Sequence, residues 1–104
     1  MLVCPECWGK AVARYAWINA KGERRGYWYE CEEGSGACCV RVPRMKEYVL
    51  LISNRAEEVS RALGVAFPLG KTVCHGVWFV LFHPSDVEAI ESELGIKLWR
   101  LVRI

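Results

Sequence analysis

The chain contains no glutamine, only two asparagines (Asn19 and Asn54) and one threonine, Thr72. Few thermolabile amides beside abundant Arg, Glu and Val is a thermophile's usage. Long apolar runs are also missing. The longest, near residues 48–52 and 77–82, are strand-length, far short of the roughly 20 residues that cross a bilayer, so no membrane partner is expected. No basic stretch followed by an apolar one opens the chain, which excludes a visible signal peptide and predicts a cytoplasmic protein. In that compartment thiols stay reduced or bind metal.

Charge of one sign is not in excess either. Residues 1–46 carry eight basic and five acidic side chains, a net of +3, and residues 47–104 carry six and seven, a net of −1. Any nucleic-acid affinity must therefore come from local patches and not from bulk charge. Catalytic constellations are absent: no Ser/His/Asp set and no clustered carboxylate pair stands out. Gly70-Lys71-Thr72 lacks the first glycine of a phosphate-binding loop, since position 65 is Val, and reads as a turn. A non-enzymatic protein is expected.

What the chain does have is cysteine. Cys4-Pro5-Glu6-Cys7 opens it, and Cys31, Cys38 and Cys39 close a first segment. Thiolates in two close pairs, at the ends of two strands, are what a tetrahedral Zn²⁺ requires. The predicted ligands are Cys4, Cys7, Cys31 and Cys38. Cys38 is preferred to Cys39 because the Gly34-Ser35-Gly36 loop then folds back with less slack, and Cys39 stays open as the alternative fourth ligand. Iron in a rubredoxin-like site competes, as does a pair of disulfides. A closed four-thiolate site has no open position, so the zinc is expected to be structural.

Between the cysteines, Ala11–Ile18 and residues 27–31 mix β-branched and aromatic side chains around a turn-rich Asn19-Ala20-Lys21-Gly22 stretch, which predicts a β-hairpin. Residues 38–44 make a third strand, stopped by Pro43. Some 40 residues cannot hold such a sheet by apolar burial alone, whereas a structural Zn²⁺ contributes an apparent ~10–16 kcal/mol in small peptides. Residues 1–45 are therefore read as a zinc ribbon. The run from Cys4 to Cys31 resembles the zinc-finger activators of phage late transcription, the Ogr/Delta type, which share a Cys-Pro-x-Cys start, a basic hairpin and an aromatic strand entering a cysteine. The second cysteine pair is wider here. The resemblance implies a transcription-linked ribbon. Lys21, Arg24 and Arg25 at the hairpin tip, with Arg41, Arg44 and Lys46, are the candidate phosphate contacts. Tyr15, Trp17, Tyr27, Trp28 and Tyr29 either stack on bases or pack the ribbon's apolar face.

The second half repeats itself. Residues 48–69 and 79–100 align at an offset of 31, with Val49/Val80, Leu50/Leu81, Glu57/Glu88, Leu63/Leu94 and Gly64/Gly95 identical. Ala56, Val59 and Leu63 share one helical face, as do Val87, Ile90 and Leu94. Ser85/Glu88 and Asn54/Glu57 suggest capping boxes, and both glycines fall where a helix wants a left-handed residue. Residues 46–104 are thus expected to form a ferredoxin-like βαββαβ sandwich, making the whole an α+β chain of two domains. Its sheet would be apolar on both faces: Val49, Leu51, Trp78, Val80 and Phe82 point one way, and Tyr48, Leu50, Ile52, Val77, Phe79 and Leu81 the other. The face without helices must be covered by the ribbon, a second copy of the chain in a homodimer, or unstacked bases. Residues 75–82 resemble the octapeptide of the RNA-recognition motif, which implies Tyr48 and Phe79 as stacking platforms. Val77, His75 and Trp78 depart from that motif. Cys74 is read as a buried thiol and His83-Pro84 as a helix entry. The function expected is nucleic-acid binding, DNA or RNA, linked to transcription, with a protein-interaction module as the alternative.

Overall fold

A computed structural model describes residues 1–7, 11–31 and 38–104, without the side chains of Ala11 and Val12. The Gly34-Ser35-Gly36 loop lies outside these residues. The elements are β1 (Leu2–Cys4), β2 (Ala11–Ile18), β3 (Arg24–Cys31), β4 (Val40–Arg41), β5 (Glu47–Ser53), α1 (Ala56–Leu63), β6 (Gly70–Cys74), β7 (Val77–Phe82), α2 (Val87–Leu94) and β8 (Trp99–Arg103). A 3₁₀ turn, Pro84–Asp86, leads into α2.

All eight strands belong to one sheet, in the order β4-β1-β3-β2-β8-β5-β7-β6, and every pairing is antiparallel. The pairing of β2 with β8, from Tyr15 opposite Arg103 to Ile18 opposite Arg100, carries the sheet through both halves of the chain. The sheet then curls until its edge strands β4 and β6 meet. At that seam a Cβ on Gly70 would sit 2.6 Å from the Arg41 carbonyl oxygen. A Cys38–Cys74 disulfide spans the same seam. The result is a nearly closed barrel, which leaves little free edge for other chains to pair with.

This corrects the expected fold class. The strand–helix–strand order occurs twice, as the repeat requires. Yet neither a separate three-stranded ribbon nor a ferredoxin-like βαββαβ sandwich forms, because the hairpin strands join the same sheet as the C-terminal ones. The reason lies in the apolar face that helices do not cover. Alternation along β5 and β7 divides their side chains as the period of two demands. Val49, Leu51, Val80 and Phe82 pack outward under Val59, Ala62 and Ile90 of the helices. Tyr48, Leu50 and Leu81 point inward, where Val3, Tyr15, Trp28, Val40, Val42 and Leu101 meet them. The N-terminal strands are the cover. Three aromatic pairs tie the interior together: Tyr15 with Tyr48 at 5.8 Å, Trp17 with Trp99 at 4.9 Å and Trp28 with Phe79 at 5.5 Å between ring centroids.

The helix ends differ in part from their sequence signals. Gly95 adopts φ 68° and ends α2 in the left-handed region, whereas Gly64 stays right-handed at φ −73°. Neither helix has a side-chain N-cap. The His83 ring nitrogen accepts the Ser85 N–H instead, capping the 3₁₀ turn ahead of α2. On α1 the buried residues are Val59 and Ala62, and Ala56 is exposed. Among the described residues no helix is long and apolar enough to cross a membrane.

Candidate metal centre

Three neighbouring strands deliver four thiols to one point. Cys4 ends β1, Cys7 follows three residues later, Cys31 ends β3, and Cys39 directly precedes β4. β1 pairs with both β3 and β4; Cys4 stands opposite Tyr29 and Cys31 opposite Leu2, so the two cysteines are diagonal neighbours on one face of the sheet. The four sulfurs lie within 4.8 Å of one another and could hold a metal ion. Cys4 and Cys31 are 3.3 Å apart, Cys7 and Cys39 3.7 Å, and Cys31 and Cys39 3.7 Å. A tetrahedron with metal–sulfur bonds of about 2.3 Å has edges of about 3.8 Å, so the spacing fits such an ion.

The fourth thiol is Cys39. Cys38, placed in this set by the sequence reading, is instead joined to Cys74, which is therefore no free buried thiol. On an extended chain consecutive side chains project to opposite sides. One of two adjacent cysteines can face the thiol cluster while the other faces the seam. Spacing along the chain cannot tell them apart; the position of β6 does.

Burial and mutual contact set how the four thiols ionise. Cys4 is fully buried and Cys31 nearly so. Burial is the main cause that pushes the Cys4 thiol up to about 12, against which a hydrogen bond from the Glu6 backbone pulls down. Burial likewise raises Cys31, and the neighbouring thiols Cys7, Cys4 and Cys39 add to it. Cys7, near the surface, is lowered by hydrogen bonds from Cys4 and Cys31. Thiols packed this way do not ionise together unless a positive ion sits among them.

The predicted nucleic-acid residues separate. At the β2–β3 tip the Asn19 side-chain oxygen accepts the N–H groups of Lys21 and Glu23, and Gly22 takes φ +82°, which fixes the turn. Lys21, Arg24 and Arg25 are exposed there. Arg25 pairs with Glu23 at 3.4 Å. Arg24 lies over the Tyr27 ring at 5.3 Å, and Arg14 lies over the same ring at 4.5 Å. Arg41 is exposed on β4. Arg44 donates to the buried Glu30 carboxylate at 2.5 Å. Tyr48 is fully buried, donating to the Pro43 carbonyl at 2.6 Å and accepting the Met45 N–H at 3.0 Å. It offers no ring face to a base. Phe79 is half-buried against Trp28 and the cysteine cluster. Of the five hairpin aromatics, Tyr15 and Trp28 are fully buried inside the barrel. Tyr27 and Tyr29, on the opposite face of β3, are partly exposed. Arg14 is the residue that sequence reasoning missed; its place two residues before Ala16, the partner of Tyr27, is visible only in the register.

No protein-family model matches the chain, and neither does any curated protein or solved structure.

Proposed function

We propose that this chain is a small non-enzymatic protein in which one structural Zn²⁺, held by Cys4, Cys7, Cys31 and Cys39, pins three strands of the barrel, and which binds nucleic acid through the outer face of its β2–β3 hairpin. The observation that carries the zinc is the four-sulfur cluster. All-thiolate tetrahedral sites suit Zn²⁺, and four protein ligands leave none of its positions for substrate. The observation that carries nucleic-acid binding is the pair of guanidinium groups over Tyr27. Among the described residues neither Arg14 nor Arg24 has a carboxylate partner. Two cations on an aromatic ring, next to Lys21 at the hairpin tip, combine phosphate attraction with planar surfaces for unpaired bases. The resemblance of the cysteine-bearing hairpin to phage late-transcription activators supports the same reading.

The test is binding of zinc-loaded protein to single-stranded RNA, single-stranded DNA and duplex DNA over a salt series. Steep salt dependence with preference for single strands is expected, because every phosphate that the protein neutralises on a single strand steepens the slope by about 0.7. Absence of binding at low salt contradicts the reading.

A second reading, protein docking, draws on one observation. Phe67 is 93% exposed in the segment after α1, with Val65 nearby in sequence at 43%. Both faces of β5 and β7 carry residues packed within the chain, so this reading is argued from Phe67 and not from the apolar sheet face. Phe67 is the most exposed of the large apolar side chains described and is the residue a docking partner would take. Phe67→Ser abolishing association with a partner, while leaving nucleic-acid binding intact, would favour this reading.

A further inference from the structure

Beside the four-thiol cluster stands a second group: Glu6, Cys38, Cys74 and His75, whose ligand atoms all lie within 4.8 Å of one another. Three features of it bear on a ligand role. First, the Glu6 carboxylate lies 3.8 Å from the Cys74 sulfur. A disulfide sulfur carries no hydrogen, so in the oxidised state this carboxylate has nothing there to accept. Second, the same oxygen lies 2.9 Å from His75 Nε2, a contact between residues 69 positions apart in the sequence. Third, His75 holds φ 52°, the one non-glycine residue at positive φ among those described. With Gly76 at φ 78° it makes the two-residue turn joining β6 to β7. Asn-Gly or Asp-Gly is the favoured sequence for a turn with two positive φ values, and strained positions of this kind gather at functional sites.

These features agree if the four side chains are ligands. We propose that the Cys38–Cys74 disulfide masks a second metal site, and that its reduction by a dithiol opens a Cys38/Cys74/His75/Glu6 set that takes Zn²⁺. In the step, one thiolate of the dithiol attacks a sulfur of the Cys38–Cys74 bond, forming a mixed disulfide and releasing one cysteine. The second thiol of the reagent then displaces the other cysteine. Two electrons and two protons pass to the protein thiols, and the reagent leaves as a cyclic disulfide. Zn²⁺ binding afterwards displaces the two thiol protons to solvent. The ligand set of two sulfurs, one imidazole nitrogen and one carboxylate oxygen is one that zinc accepts, with edges of about 3.3–3.8 Å. The Cα atoms of Cys38 and Cys74 are 5.1 Å apart, which keeps both sulfurs within reach of one ion. Glu6 sits between Cys4 and Cys7, so the loop that serves the first site also presents the carboxylate to the second. Redox state would thereby decide what clips the barrel seam, a covalent bond or an ion.

The experiment uses the whole chain and reads an increment, so that it does not depend on occupancy of the first site. Zinc per chain is measured on oxidised protein, and again after treatment with a dithiol, removal of the reagent and re-equilibration with Zn²⁺. Wild type is expected to gain about one ion. His75→Asn, which suits the left-handed turn and removes the nitrogen ligand, is expected to gain none, and Glu6→Gln to hold the second ion at least tenfold more weakly. Thiol labelling gives the second readout. Cys38 and Cys74 should become reactive on reduction and be protected by Zn²⁺ in wild type but not in His75→Asn. An unchanged zinc content in wild type whose two new thiols are shown to be free overturns the proposal, as does an equal gain in His75→Asn.

Discussion

Trp28 meets Phe79 at 5.5 Å with their rings inclined by 68°, a contact that joins the hairpin to the repeat across the barrel interior. Trp28 is fully buried, though its indole N–H finds no acceptor among the described residues. The contact makes the two halves depend on each other. Trp28→Ala is expected to destabilise the protein by about 3–5 kcal/mol, the usual cost of emptying a large aromatic site. Denaturant unfolding followed separately by fluorescence and by far-UV dichroism should give one coincident transition in wild type. Two separated transitions would show halves that fold on their own.

Gly70 is a close approach in the seam between β4 and β6. A methyl group there would meet both the Arg41 carbonyl oxygen at 2.6 Å and the Val42 side chain at 2.9 Å. Because the first obstacle is backbone, β4 and β6 must separate to accommodate it. Gly70→Ala is expected to cost about 1–3 kcal/mol in thermal or urea unfolding, the range of overpacked interiors. A cost within experimental error would mean that the seam is loose.

Glu30 is buried and its carboxylate is met by Arg44, whose own side chain is 65% exposed. Solvent on the arginine weakens the pair, but removing it strands a carboxylate in the interior. Arg44→Ala should therefore lower stability by about 1–3 kcal/mol, and the double variant with Glu30→Gln should recover part of that loss. If Arg44→Ala instead weakens nucleic-acid binding without touching stability, Arg44 is a phosphate contact after all.

Tyr48 supplies a pH dependence. Burial holds its phenol well above the ordinary range, against the pull of the hydrogen bond with the Met45 backbone, and burial also raises Tyr15. An unfolded tyrosine ionises near pH 10. Above that pH the folded chain retains protons that the unfolded chain has released. This contribution to stability is therefore whole below about pH 10 and declines as pH rises beyond it. Tyr48→Phe loses the hydrogen bonds to the Pro43 carbonyl and from the Met45 N–H, about 1 kcal/mol each at neutral pH, but should show a shallower alkaline decline. Parallel declines in the two proteins would place the effect elsewhere.

The hairpin face gives the functional prediction. Arg14→Ala with Arg24→Ala removes both guanidinium groups from Tyr27. Binding to single-stranded nucleic acid should weaken about tenfold or more, and the salt slope should flatten by roughly 1.4 when two phosphates are no longer neutralised. Arg25→Ala, already paired with Glu23, should matter less. Equal affinity and slope in the Arg14/Arg24 double variant would remove the hairpin face from the account.

Much of the fold was legible because period and propensity act locally. The hairpin strands, both helices of the repeat and the two-faced character of β5 and β7 follow from alternation and helical spacing. The closure was not, because it depends on which of several apolar surfaces finds which. Nothing in the spacing of Tyr15 or Trp17 says that their strand will pair with β8. The same limit governed the cysteines. Cys4, Cys7 and Cys31 were recognisable from their positions at strand ends, but the choice between Cys38 and Cys39 is made by Cys74 across the seam. Tyr48 and Phe79 are platforms only by the resemblance of residues 75–82 to the RNA-recognition octapeptide; in the fold the hairpin packs over the sheet face they lie on.

Cys4, Cys7, Cys31 and Cys39 are proposed to hold one structural metal ion. The most direct measurement is metal content of the purified, oxidised protein beside Cys39→Ser and Cys38→Ser. About one zinc per chain is expected in wild type and in Cys38→Ser, with the ion lost or held far more weakly in Cys39→Ser. Zinc retained in Cys39→Ser and lost from Cys38→Ser would contradict it.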